Sequence, residues 1–345
     1  MGRTSYAGVA IFLLSFCFCH NSALDIPSQK DFLCSIFNAT EKELAVIVAK
    51  FSLTGHVSLN EIKIIQYTAD GGNYSATLSD PEGLKAINLD SDQKIVIITH
   101  GFWSSGTTDW VVNMATAYHG IGIRNTLAVD WAEPASTINY VGSARATLNV
   151  GRLVAEWLVS YLENNATLIQ NLHLVGHSLG AHISAFIGQT IYNLTDVKVG
   201  RISGLDVAAP LFEYPKKLSA SMRFSADDAE EVEAYHTDKH LLGFASAVAK
   251  QDFLVNYGGP IQPSCKSESN IIEQIECSHG FSHELFINTI KEEDYYAKKC
   301  SSSETARLQL CNGNLAVIMG EFNNGTSEQG TFYGNTDSVG DPKDL

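Results

Sequence analysis

The run Gly176-His177-Ser178-Leu179-Gly180 sets a serine between two glycines, after the apolar residues 172–175 and at the head of residues 178–191, which carry apolar side chains at helical spacing. In that context a G-x-S-x-G carries a nucleophile. The chain turns so tightly from strand to helix that side chains flanking the serine would collide, and the helix N-terminus favours the anion formed on attack. A serine alkoxide is not free at neutral pH, so it needs a base, and the base needs an acid to fix its tautomer. In elbow enzymes these follow in the order Ser, Asp, His. Asp206, 28 residues beyond Ser178, ends the next apolar stretch, 199–205; its bland alternative is a turn aspartate between Gly204 and Pro210. Of the 11 histidines only His236, His240, His279 and His283 lie further on. His236 falls inside a predicted strand and is expected to pack or to brace a loop. His279 follows Cys277 by two residues, in a loop that a disulfide would hold rigid, and a general base needs fixed geometry. His283, one helical turn later, is the local rival.

An acyl-transfer site also needs backbone donors for the oxyanion, one from the residue after the nucleophile and one from a loop after an earlier strand. Leu179 supplies the first. The run Thr99-His100-Gly101-Phe102-Trp103 offers the Phe102 amide as the second; it also reads as a plain glycine turn with two aromatics in the core.

These residues need a scaffold that delivers loops to one edge. Short β-branched runs at 62–67, 94–99, 126–129, 172–175, 199–205 and 232–236 alternate with amphipathic stretches at 109–118, 141–162 and 178–191. That alternation predicts βαβ units around a largely parallel sheet, with the chemistry at the carboxyl ends of the strands.

With 45% hydrophobic and 18% charged residues, the 345-residue chain has the composition of a folded globular protein. Its net charge of −15, without a basic cluster, argues against nucleic-acid partners and against electrostatic attraction to anionic membranes. Residues 1–23 read as a signal peptide: Arg3, then an apolar run at 7–19 that is too short to span a bilayer, then small residues. Cleavage after Ala23 fits, and Cys19 or Ser22 would also serve. The remainder, 24–345, is expected to be one secreted domain. Five N-glycosylation patterns begin at Asn38, Asn73, Asn165, Asn193 and Asn324. In an oxidising compartment neighbouring cysteines pair, which gives Cys265 with Cys277 and Cys300 with Cys311; Cys34 is left over, buried or paired with Cys19. No His or acidic spacing of the usual metal-ligand kinds occurs, and the chemistry needs no cofactor.

From about Glu61 to Leu285 the chain resembles the pancreatic (neutral) lipase family of secreted α/β-hydrolases. The resemblance rests on motifs in the correct order: Tyr67-Thr68, His100-Gly101-Phe102, Val129-Asp130-Trp131, the elbow with Ala181-His182, Gly204-Leu205-Asp206, His236-Thr237-Asp238, Asp252-Phe253, Gln262-Pro263-Ser264-Cys265 and Cys277-Ser278-His279. It implies an α/β-hydrolase fold with helices on both faces of a mostly parallel sheet. It further implies Ser178, Asp206 and His279 as the triad, Phe102 and Leu179 as the oxyanion hole, and Cys265 and Cys277 as the closure of a lid. The chain departs from the family in reading Asp206-Val207-Ala208 where a proline usually follows the acid, and Lys250-Gln251 where Gly-His usually precedes Asp-Phe.

The lid, residues 266–276, has only 11 residues. Short lids resemble the phospholipase A1 and galactolipase members, whose shallower, wetter sites admit polar head groups; long ones build the apolar wall that a triacylglycerol needs. Ile271, Ile272 and Ile275 either give this flap an apolar face for a lipid surface or pack inward. Only 66 residues follow His279, too few for the family's C-terminal β-sandwich, so no colipase partner is expected and single-domain insect lipases are the nearer likeness. The partner implied is a lipid substrate at an aggregate or membrane surface, while oligomeric state is not legible. The alternatives are a triacylglycerol lipase, or a yolk-type lipid-binding protein on the same fold; the presence of Ser178, Asp206 and His279 speaks against the second.

Overall fold

A computed structural model of the chain describes residues 29–36, 40–136, 140–291, 295–311, 313–323 and 328–339. The expected signal peptide and the glycosylation patterns at Asn38 and Asn324 lie outside the described residues.

Hydrophobic side chains alternate between two faces along the inner strands, so the sheet can be a core only if both faces are covered. Ile95 and Ile97 point into one apolar cluster, and Val96 and Ile98 into the other. The strands are β1 (Lys63–Tyr67), β2 (Asn73–Thr77), β3 (Ile95–Thr99), β4 (Asn125–Asp130), β5 (Leu172–His177), β6 (Arg201–Leu205), β7 (Glu231–His236), β8 (Gln251–Val255), β9 (Tyr295–Lys299), β10 (Ala316–Ile318) and β11 (Gly330–Val339). They form an 11-stranded sheet in the order β10-β9-β11-β8-β7-β6-β5-β3-β4-β1-β2. From β11 to β4 all neighbours are parallel, and the outer strands run antiparallel.

Four long helices cover the faces: α1 (Asp109–Gly120), α2 (Tyr140–Tyr161), α3 (Leu179–Thr195) and α4 (Ile271–Lys291). Val150, Val154 and Leu158 of α2 pack with Ile183, Phe186 and Ile187 of α3 against one face. Val111, Met114 and Tyr118 of α1 pack with Leu285, Phe286 and Ile290 of α4 against the other. The expected doubly covered parallel sheet is therefore the one observed. Among the described residues no helix is long and apolar enough to cross a membrane.

Both expected disulfides are present, Cys265–Cys277 and Cys300–Cys311, with Cα atoms 5.7 and 5.6 Å apart. Cys34 is half-buried in the N-terminal helix Gln29–Ile36 and belongs to neither bridge. Asn73, Asn165 and Asn193 are exposed. Asn165 also caps the short helix Ala166–Gln170 through its side-chain oxygen.

The region after β8 corrects the sequence reading. His279 does not sit in a loop: α4 begins at Ile271, within the segment 266–276 expected to be a lid, and runs without a break through the Cys277 bridge to Lys291. Ile275 is 1% exposed and packs with Ile271 against Phe32 and Leu241, so these two isoleucines face inward. Ile272 is half-buried and stands outside that cluster.

Candidate active site

Ser178 stands where β5 turns into α3. Its backbone takes φ 58° and ψ −122°, a conformation costing on the order of 1–3 kcal/mol that persists only where surroundings enforce it. They do so by close approach: a side chain at 176 would run into the Gly180 carbonyl, and one at 180 into the Thr99 and His100 carbonyls. The Ser178 amide donates to the Leu205 carbonyl at 3.0 Å, which ties the elbow to β6.

Asp206 follows β6 directly, again at a positive φ of 42°. It is fully buried, which would be costly for a carboxylate left alone. Here the Thr237 and Asp238 amides donate to its Oδ1 at 2.8 and 3.1 Å, and the His279 Nδ1–H donates to its Oδ2 at 2.6 Å. That leaves Nε2 of His279 for the serine. The Ser178 hydroxyl makes no hydrogen bond among the described residues, so this link is open in the structure, as catalytic hydrogen bonds often are without substrate. Asp238 adds a second buried carboxyl. Burial first, and the Asp206 charge second, hold it well above the usual carboxylate range. Asp206, Asp238 and His279 bring ligand-type atoms within 4.8 Å of one another, but the Asp206 oxygens are already taken by two amides and the imidazole.

The loop expected to hold the oxyanion, Thr99 to Trp103, lies against Ser178: a carbon added at Gly101 would come 2.8 Å from the Ser178 Cβ. Among the described residues the amides of Phe102 and Leu179 spend no hydrogen bond inside the protein, as donors reserved for a ligand oxygen would. Residues that the sequence reading left without a role hold this loop. Trp131 donates its backbone N–H to His100 Nε2 at 3.1 Å and its indole N–H to the His100 carbonyl at 2.8 Å. Asp130 accepts from the Gly106 amide at 3.0 Å, and the Tyr67 hydroxyl donates to the Gly106 carbonyl.

Buried polar ties likewise steady the loop after the acid, where the sequence carries Val207. His182 donates through Nε2 to the Ala208 carbonyl at 2.8 Å, accepts the Phe224 amide at 3.0 Å on Nδ1, and stacks on Phe212 at 3.6 Å. Burial pushes this imidazole down to about 3, so it stays neutral and bracing at any pH of interest. Val207 itself is buried, and its carbonyl accepts the Phe244 amide at 3.0 Å. On the other side Gln262 donates its side-chain amide to the Thr237 carbonyl at 2.7 Å and its backbone N–H to the Ser278 hydroxyl oxygen at 2.9 Å, joining α4 to the loop beside Asp206.

The structure also separates the four late histidines. His236 is buried, bonded to Asp252 at 2.9 Å and to the Phe244 carbonyl at 3.1 Å, and so braces a loop as expected. His283 is not helix surface: it lies flat on Trp110 at 4.7 Å, and burial pushes it down to about 3. His283→Phe is therefore expected to keep kcat/KM within about threefold, because a ring of similar shape preserves the stack. Turnover of p-nitrophenyl butyrate by the variant, set beside that of His279→Ala, measures this; equal losses in the two would remove the distinction.

A parallel sheet with a strained serine elbow, an aspartate after the following strand and an imidazole bonded to that aspartate defines the α/β-hydrolase fold. A model of the Lipase family matches residues 31–340, and the chain belongs to that family. It is 32% identical to lipase member H-B of Xenopus laevis over 256 residues, covering 73% of this chain and 53% of that protein. It is 34% identical to hepatic triacylglycerol lipase of Oryctolagus cuniculus over 258 residues, covering 68% and 50%. With lipoprotein lipase of Gallus gallus the figures are 32% over 250 residues, 67% and 49%. The chain thus spans about half the length of the curated relatives it matches.

Proposed function

We propose that the protein is a secreted lipid ester hydrolase of the phospholipase A1 or galactolipase type. The observation that carries the hydrolase reading is the 2.6 Å bond between His279 and Asp206 at the foot of the Ser178 elbow. Ser178 Oγ attacks the acyl carbonyl while His279 Nε2 takes its proton, and Asp206 holds the imidazolium so formed. The carbonyl oxygen, now negative, gathers the Phe102 and Leu179 amides. His279 then returns the proton to the departing alcohol, leaving an acyl-serine. Water repeats the sequence with the same base and frees the fatty acid.

The 11-residue lid supports the preference for polar lipids, since half of it is already wound into α4 and little chain remains to wall off an apolar substrate. The targeting segment, two disulfides and three exposed glycosylation patterns support a secretory route. The test is hydrolysis of phosphatidylcholine, galactolipid and triolein side by side. The two polar lipids are expected to be cleaved faster; a strong preference for triolein would refute the reading of lid length, and absence of all turnover would favour a lipid-binding protein.

A further inference from the structure

Glu276, one turn ahead of His279 on α4, is 8% exposed, and among the described residues neither of its carboxyl oxygens has a hydrogen-bond partner. A buried carboxyl left unanswered is costly, and such groups concentrate where a ligand supplies the partner. Its place on the helix says which ligand atoms those are. Residues 272, 276, 279 and 283 share one stripe. That stripe carries His279 to Asp206 and His283 to Trp110, while Ile271 and Ile275 on the neighbouring stripe are used up against Phe32 and Leu241. Glu276 therefore continues the row of His279 outward by about 4.5 Å, the rise of three helical residues.

His279 must deliver its proton to the oxygen of the departing alcohol, so that alcohol lies on the imidazole's side of the scissile bond and the fatty chain on the other. The group next along the stripe from His279 meets the alcohol moiety. The geometry points to Glu276 as the specificity residue of this site, binding a hydroxyl of an uncharged glycosyl head group; this rests on the polar-lipid reading above. The chemistry agrees. Burial, and secondarily Glu273, push its carboxyl up to about 8, so near neutral pH it offers one O–H donor and one carbonyl acceptor, the pair a sugar hydroxyl needs. A cationic choline would ask instead for the ion.

The experiment compares kcat/KM of the full-length protein with Glu276→Leu and Glu276→Gln, using monogalactosyl diacylglycerol, phosphatidylcholine and p-nitrophenyl butyrate, which has no head group. The leucine variant is expected to lose about tenfold more on the galactolipid than on the nitrophenyl ester, and glutamine, which still donates and accepts, to recover most of that difference. Glu276→Met repeats the comparison should leucine impair folding. Equal losses on all three substrates, or a galactolipid rate that leucine leaves untouched, would overturn the assignment. Wild-type protein that prefers triolein to both polar lipids would instead bring down the reading beneath it, so the two failures are told apart.

Discussion

Ser178→Ala is expected to lower kcat by on the order of 10⁵–10⁶ with the fold intact, the loss seen when the nucleophile of a concerted triad is removed. The side chain is small and the strained backbone is enforced by Gly176, Gly180 and the β6 tie rather than by the hydroxyl, so stability should change little. Turnover of p-nitrophenyl butyrate reads the rate, and a fluorophosphonate label reads the nucleophile directly. Wild-type protein should take the label and the alanine variant should not. Residual activity within about tenfold of wild type, or equal labelling of both proteins, would mean that another residue attacks the ester.

Asp206→Asn is expected to cost about 10³–10⁴ in kcat with KM nearly unchanged, because an amide in place of the carboxylate selects the wrong imidazole tautomer and loses the charge that steadies the imidazolium. The local structure makes the substitution awkward as well. Oδ1 faces two amide donors, so only Oδ2 can become the NH₂, which then points its hydrogens at His279 Nδ1. The imidazole must turn its proton toward the serine, where it can no longer accept one. Steady-state kinetics at several pH values, with a thermal unfolding curve to confirm folding, decide the matter; a variant within about tenfold of wild type would take the acid's role away from Asp206.

The placement of Ser178 and Asp206 was legible because their signals are local: a serine flanked by glycines between strand and helix, and an aspartate at the end of the next apolar strand. The contact of His279 with Asp206 was anticipated, but its setting on a helix was not. The buried face of α4 carries Ser278 and Ser282, whose hydroxyls are absorbed by the helix's own carbonyls at Gln274 and His279, and small polar residues there break the apolar period that marks a helix. Edge strands were missed for a related reason, since β2 exposes the first three residues of Asn-Tyr-Ser-Ala-Thr and shows little alternation. The supporting ties, His182 to Ala208, Trp131 to His100 and Gln262 to Thr237, join residues 25 to 31 positions apart, and no spacing rule reaches across such gaps. Asp238 belongs with them. The family resemblance named its motif, but only the folded chain reveals a second buried carboxyl beside the first, held well above the usual carboxylate range.

The continuity of α4 constrains how substrate can enter. The lid and the proton shuttle we propose are parts of one rod that starts at Ile271, six residues before the Cys277 bridge. Swinging the rod as a body would drag the imidazole off its carboxylate, so the proposed lid would have to fray from the free end. The bridge would then act as a stopper, confining such unravelling to the outermost turn while His279 stays on Asp206.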